Sequence, residues 1–199
     1  EQLTDLVRSV REELDSDHGI PVDAPLLGGL GNVDWWSVPD AFVRVAWEAF
    51  RRDDAQAVHA LWVADGATDR MLWPLRHDIR HAGLEGRVHV SNRSRPAWQY
   101  VAAADVLVAS RLTGHAPVGL ADAETYGTPV LVFDGAEGEP AAPGDASRVV
   151  PHLDTEAMAA AAIELLHTGR TVTDAFRITP LDSPARPSVG GPLLVEALT

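Results

Sequence analysis

The chain has 199 residues, 46% of them hydrophobic, which is enough apolar surface to bury the core of one domain of ordinary size. Its formal net charge of −13 argues against a nucleic-acid or anionic-membrane surface, whose phosphates would be repelled, and leaves room only for a local anion site. Cysteine is absent, which excludes disulfides and thiolate metal sites; no apolar run reaches the roughly 18 to 20 residues of a transmembrane segment, and no signal-peptide pattern opens the chain, so a soluble, cytoplasmic protein is expected.

Leu3, Leu6, Val7, Val10 and Leu14, spaced by three and four with charges between them, predict an amphipathic helix ending near Gly19. Leu26 to Leu30 reads as a short strand running into glycine. Ser37, Pro39 and Asp40 then have the spacing of a helix start, and the helix continues to Arg51-Arg52. A glycine-rich turn feeding a helix N-terminus is an arrangement that suits an anion, because free N–H groups and the helix dipole face one point. Ala57 to Ala64 follows as a buried strand, Thr68 to Ala82 as a helix containing Pro74, and Arg87 to Val90 as a short strand. Pro96 opens a short helix containing Trp98 and Tyr100. Ala104 to Val130 is then a strand (Val106 to Val108), a polar loop, the helical run Asp122 to Gly127, and Thr128-Pro129 before another buried strand. A glycine-rich acidic loop (134 to 140), a minimal strand at Val149-Val150 and an alanine-rich helix from Glu156 to Leu166, capped by Asp154, complete the periodic part.

Strands and helices alternating at this spacing predict an α/β fold: a Rossmann-like parallel sheet with helices on both faces. Residues 1–170 form one domain, with 1–19 as the helix leading into it, and 171–199 is an irregular tail with a short C-terminal helix. In such sheets ligands bind beyond the C-terminal ends of the strands. The loops at 28 to 38, 65 to 68, 91 to 95, 110 to 119 and 134 to 139 are therefore expected along one edge.

Six stretches carry a family resemblance in order. They are GGLGNVDWWSVPDAFVRVAWE, WVADG, GLEGRVHV, YVAAADVLVASR, DAETYGTPV and VVPHLDTEAMAAAAIELL, and together they cover about residues 18 to 168. The chain resembles the C-terminal, nucleotide-sugar-binding half of GT-B glycosyltransferases of the family-4, or group 1, type. The resemblance implies retaining transfer of a sugar from a nucleotide diphosphate sugar to an acceptor held by an N-terminal domain. That domain lies outside this chain, so the chain alone is expected to be inactive. No cofactor and no metal are implied.

In this family basic residues near the first helix contact the diphosphate, and two carboxylates eight residues apart hold the sugar and the ribose. By that correspondence Asp122 stands at the ribose carboxylate. Trp36 and Ser37 replace the basic pair, Gly114 replaces the first carboxylate, and no lysine exists anywhere to substitute. Gly28, Gly29 and Gly31 are the candidates for backbone access to phosphate. Arg111 is the cation best placed in the site loop, and His115 is a polar neighbour of Gly114. No catalytic residue is assigned. These departures keep open a degenerate, non-catalytic domain used for protein interaction or weak ligand sensing. A generic dinucleotide-binding domain fits less well, since the first turn lacks G-x-G-x-x-G.

Each of these residues also has a structural reading. Asp122 fits a helix N-cap, Glu124 a solvated position, Trp35 and Trp36 packing on the following helix, and Arg93 and Arg95 a surface loop. Glu137 and Glu139 fit a solvated acidic loop. His77 and His81 imitate the H-E-x-x-H zinc helix with Asp78 after the first histidine, but no third ligand is evident and both fit a polar helix face.

Overall fold

The computed structural model describes residues 2–34, 37–52, 58–64, 66–92, 94–110, 119–134 and 147–168. Among them, six strands pair in parallel throughout, in the order β3-β2-β1-β4-β5-β6. In chain order the elements are α1 (Gln2–His18), β1 (Leu26–Leu30), α2 (Pro39–Arg52), β2 (His59–Ala64), α3 (Asp69–His81) and β3 (Val88–Asn92). After these come α4 (Ala97–Ala103), β4 (Val106–Ala109), α5 (Leu120–Tyr126), β5 (Val130–Phe133), β6 (Arg148–Val150) and α6 (Thr155–Thr168). The sheet reverses direction of growth between β1 and β4, which creates a crevice at their carboxyl ends.

The central strands β2, β4 and β5 are apolar at successive positions because both faces are covered. Leu27, Trp62, Val106, Val108, Leu131 and Phe133 point to the side occupied by α2, α3 and α6. On the other side, Leu26, Leu61 and Val63 pack with Val10 and Leu14 of α1 and Tyr100 of α4, while Leu107, Val130 and Val132 pack with Ala123 of α5.

Gly28 and Gly29 correct the predicted loop boundary, because both lie inside β1. A Cβ at Gly28 would sit 2.9 Å from the Ala104 Cβ, and one at Gly29 would sit 2.6 Å from the Trp62 ring and 2.8 Å from the Phe42 ring. Their lack of a side chain lets two large rings and the end of α4 close over β1, and the loop starts only after Leu30. α2 starts at Pro39, the first-turn proline that the sequence predicts. Just before it, Asp34 Oδ1 accepts the Ser37 N–H at 2.7 Å and the Asp34 carbonyl accepts the Val38 N–H at 3.2 Å. Asp154 behaves as expected, its Oδ1 accepting the Ala157 N–H at 2.9 Å at the start of α6.

α1 is fixed to the sheet's amino edge by a buried cation. Arg11 donates to the carbonyls of Ala103 (2.8 Å) and Ala24 (2.7 Å) and to Asp105 Oδ2 (2.8 Å), which also accepts the Leu26 N–H. Paired and hydrogen-bonded in this way, the guanidinium is tolerated at low exposure. No helix of the described residues is long and apolar enough to cross a membrane.

Candidate functional site

The β1 and β4 loops meet at the crevice. Ser110, 2% exposed, follows β4, and its hydroxyl donates to the Ser37 carbonyl at 2.8 Å. Next to it Val38 has φ 44°, a costly conformation for a β-branched residue, and the bonds through Asp34, Ser110 and Ala41 hold it there. Gly31 is sterically required, since a Cβ would lie 3.0 Å from Ser37 and 3.2 Å from the Trp62 indole. Its N–H donates to the Val63 carbonyl at 3.2 Å, extending the β1 ladder. The amides of Gly31, Ser37 and Val38 are thus all engaged within the protein, so the first turn does not present them to an anion. Below this loop the buried Trp62 indole N–H has no hydrogen-bond partner among the described residues.

After β4 the chain re-enters the described region at Gly119, whose φ of 90° is left-handed and whose absent Cβ would lie 2.9 Å from Val101 and 3.0 Å from Leu30. Only glycine fits a site that combines such an angle with such contacts. α5 then runs beside α4, ends on left-handed Gly127, and is tied down by the Thr128 hydroxyl donating to the Val101 carbonyl at 2.9 Å. Asp122 is within the first turn of α5, and Gly119 occupies the N-cap, which corrects the cap reading of Asp122. Glu124 is exposed, as expected.

Asp122 faces residues that follow β3. Ser94, Arg95, Pro96, Ala97, Trp98 and Asp122 enclose an open cavity of about 580 Å³. The Trp98 ring stacks on Tyr126, with centroids 5.5 Å apart and planes inclined by 21°. Burial first, then the nearby Asp122 charge, pushes the Tyr126 hydroxyl above its ordinary range. The cavity thus presents a carboxylate on one side and an aromatic, proline-lined wall on the other, a combination suited to a ligand with both hydroxyls and a flat ring.

Of the six predicted site residues, Asp122 lines this cavity and Gly31 lies at the neighbouring crevice. Gly28 and Gly29 are interior packing positions. Arg111 and His115 lie outside the described residues, as do Trp35, Trp36, Arg93, Gly114, Glu137 and Glu139. Arg95 lines the cavity but is paired with Glu13 of α1. In the sequence Trp98 stands out only as a helix residue; its spacing to Tyr126 carries no local signal, and only the packing of α4 on α5 brings the rings together. His77 and His81 sit on α3 with rings 5.6 Å apart, and no group of three potential metal ligands occurs among the described residues.

The model of the family described as glycosyl transferases group 1 matches residues 24–168. No curated protein matches the chain. Among solved structures it is similar to WaaG, a glycosyltransferase involved in lipopolysaccharide biosynthesis, at 19% identity and a TM-score of 0.65 over 81% of this chain and 42% of that one. HepE from Anabaena in complex with UDP shares 18% identity at a TM-score of 0.62, over 82% of this chain and 44% of that one. Sucrose-phosphate synthase from Thermosynechococcus elongatus shares 19% identity at a TM-score of 0.59, over 80% and 43%. At such identities the likeness establishes the fold, and the chain spans less than half the length of each of these structures.

Proposed function

The chain belongs to the glycosyl transferases group 1 family, and from that premise we propose that it is the donor-binding half of a glycosyltransferase. It holds a nucleotide diphosphate sugar while an N-terminal acceptor-binding domain supplies the opposite wall of the cleft. The observation that carries this reading is the placement of Asp122 across a cavity from Ser94 to Trp98, at the carboxyl edge of the sheet. In the proposal Asp122 accepts hydrogen bonds from the ribose hydroxyls, Trp98 flanks the base, and the diphosphate extends toward the crevice between β1 and β4. Arg111 and His115 are proposed to meet it there. Gly31 serves by letting the loop close over Trp62 rather than by its own amide.

During transfer the bond between the sugar's anomeric carbon and the diphosphate oxygen breaks, the acceptor's hydroxyl oxygen bonds that carbon, and the leaving diphosphate takes the electron pair and, in the end, the acceptor's proton. Its growing charge needs a fixed cation or a set of dipoles. A cytoplasmic location belongs to the same proposal. The chain on its own is proposed to bind donor without turning it over, because in this reading the acceptor is held by the N-terminal domain. UDP, present in the HepE complex, is the first ligand to test: calorimetry with UDP and a panel of other nucleoside diphosphates is expected to show saturable binding, and no heat at millimolar ligand with any of them would sink the reading.

A non-catalytic domain of the same fold is the second reading. Ser37 favours it: the residue standing where the family carries a cation is 8% exposed and is engaged with Asp34 and Ser110. Combining Ser37→Lys with Gly114→Glu in the complete protein separates the two readings. Activity that rises from zero supports degeneration, while unchanged activity shows that neither group is needed.

A further inference from the structure

α1 precedes the family-matched span of residues 24–168, yet it reaches the cavity wall. Glu13, at the start of its fourth turn, uses both carboxylate oxygens on consecutive residues of the loop after β3. Oε1 accepts the Ser94 hydroxyl at 2.9 Å, and Oε2 accepts the Arg95 Nε–H. The loop is held from behind as well. Tyr100, 5% exposed and packed with Val10 and Leu14, accepts the Ser94 N–H at 3.2 Å and shares a hydrogen bond with the Ser94 hydroxyl at 2.8 Å. Arg95 makes further bonds to Gln99 Oε1 and Ser9 Oγ, each at 3.3 Å.

We infer that Glu13 is a positioning residue for the nucleoside end of the donor site, holding Ser94 and Arg95 so that the wall from Ser94 to Trp98 stands open opposite Asp122. The inference rests on the donor-binding reading above. With the Arg95 guanidinium committed to Glu13, its task is to shape the wall rather than to neutralise phosphate. Hydrogen bonds from Arg95 and then Ser94 hold the Glu13 carboxyl below the usual carboxylate range, so the pair stays charged at neutral pH. A wall fixed before the ligand arrives need not be ordered on binding, and that lost advantage sets the size of the effect.

The test is calorimetric titration of UDP and of inorganic pyrophosphate into the wild type, Glu13→Ala, Glu13→Gln and Glu12→Ala, each checked by circular dichroism. Glu13→Ala is expected to weaken UDP about tenfold and leave pyrophosphate unchanged, because ordering two or so side chains costs about that factor. Glu13→Gln, which keeps an acceptor for Ser94, should fall between, and exposed Glu12 should be neutral. Should Glu13→Ala not fold, Ser94→Ala, which cuts one contact from the other side, is expected to show the same selective loss. Wild-type UDP binding with an unchanged affinity in a folded Glu13 variant, or an equal loss for UDP and pyrophosphate, overturns this inference alone. No UDP binding by the wild type overturns the donor-site reading and the inference with it.

Discussion

The Ser110 hydroxyl donates to the Ser37 carbonyl at 2.8 Å, joining the loop that leaves β1 to the loop that leaves β4 across the point where the sheet reverses its order. The bond is buried, with Ser110 at 2% and Ser37 at 8% exposure. Ser110→Ala leaves that carbonyl without its donor and is expected to cost about 1 to 3 kcal/mol of stability, read as a lower urea midpoint at an unchanged slope. A midpoint equal to the wild type's would show that the two loops hold their positions independently.

Gly29→Ala tests the packing role assigned to β1. The added methyl would meet the Trp62 and Phe42 rings at 2.6 and 2.8 Å, and both rings are 1% exposed, so neither can swing into solvent. Overpacking of this kind is expected to destabilise by about 1 to 3 kcal/mol in urea denaturation. If the variant were as stable as the wild type, space above β1 would be available and glycine would not be needed for packing.

Acid should weaken the fold through a histidine cluster near the amino ends of β2 and β3. His59 Nδ1 and His89 Nε2 are 3.1 Å apart, His18 of α1 stacks obliquely 6.0 Å from His89, and Arg87 and Arg76 add positive charge near His59 and His18. Burial first, then the charges of His59 and His18, push His89 down from 6.5 to about 4. The unfolded chain therefore binds the proton before the folded one does. Stability attributable to His89 is fully present above about pH 6.5 and is lost as pH falls toward 4, up to about 3 kcal/mol. Urea midpoints measured across that range should fall less steeply in His89→Gln than in the wild type. Parallel profiles would assign the acid limb to other groups.

The fold was legible because the central strands are short apolar runs between helix-period segments, and the order of those segments leaves few topologies. Of the proposed site, the sequence shows the part that one local stretch carries: DAETYGTPV is contiguous, and the family resemblance counts back from its Gly127 to Asp122, while the place of Asp122 inside α5 depends on Gly119 taking the cap. Gly28 and Gly29 read both as the end of the Leu26–Leu30 strand and as the start of a loop, because glycine marks a turn and a tight packing contact equally well; the groups that need the space lie far off in the chain, Ala104 for Gly28 and the Trp62 and Phe42 rings for Gly29. The link from Glu13 to Ser94 spans 81 residues and that from Ser110 to Ser37 spans 73, so neither leaves a local pattern. Trp98 and Tyr126 likewise meet only once α4 lies on α5.

The donor-site role of Asp122 is tested most directly by calorimetric titration of UDP into the wild type and into Asp122→Asn, which keeps size and removes charge. Saturable wild-type binding is expected to weaken at least about tenfold in the variant, in keeping with the roughly 1.5 to 3 kcal/mol carried by hydrogen bonds to a charged group. Equal affinities in the two proteins would contradict that role.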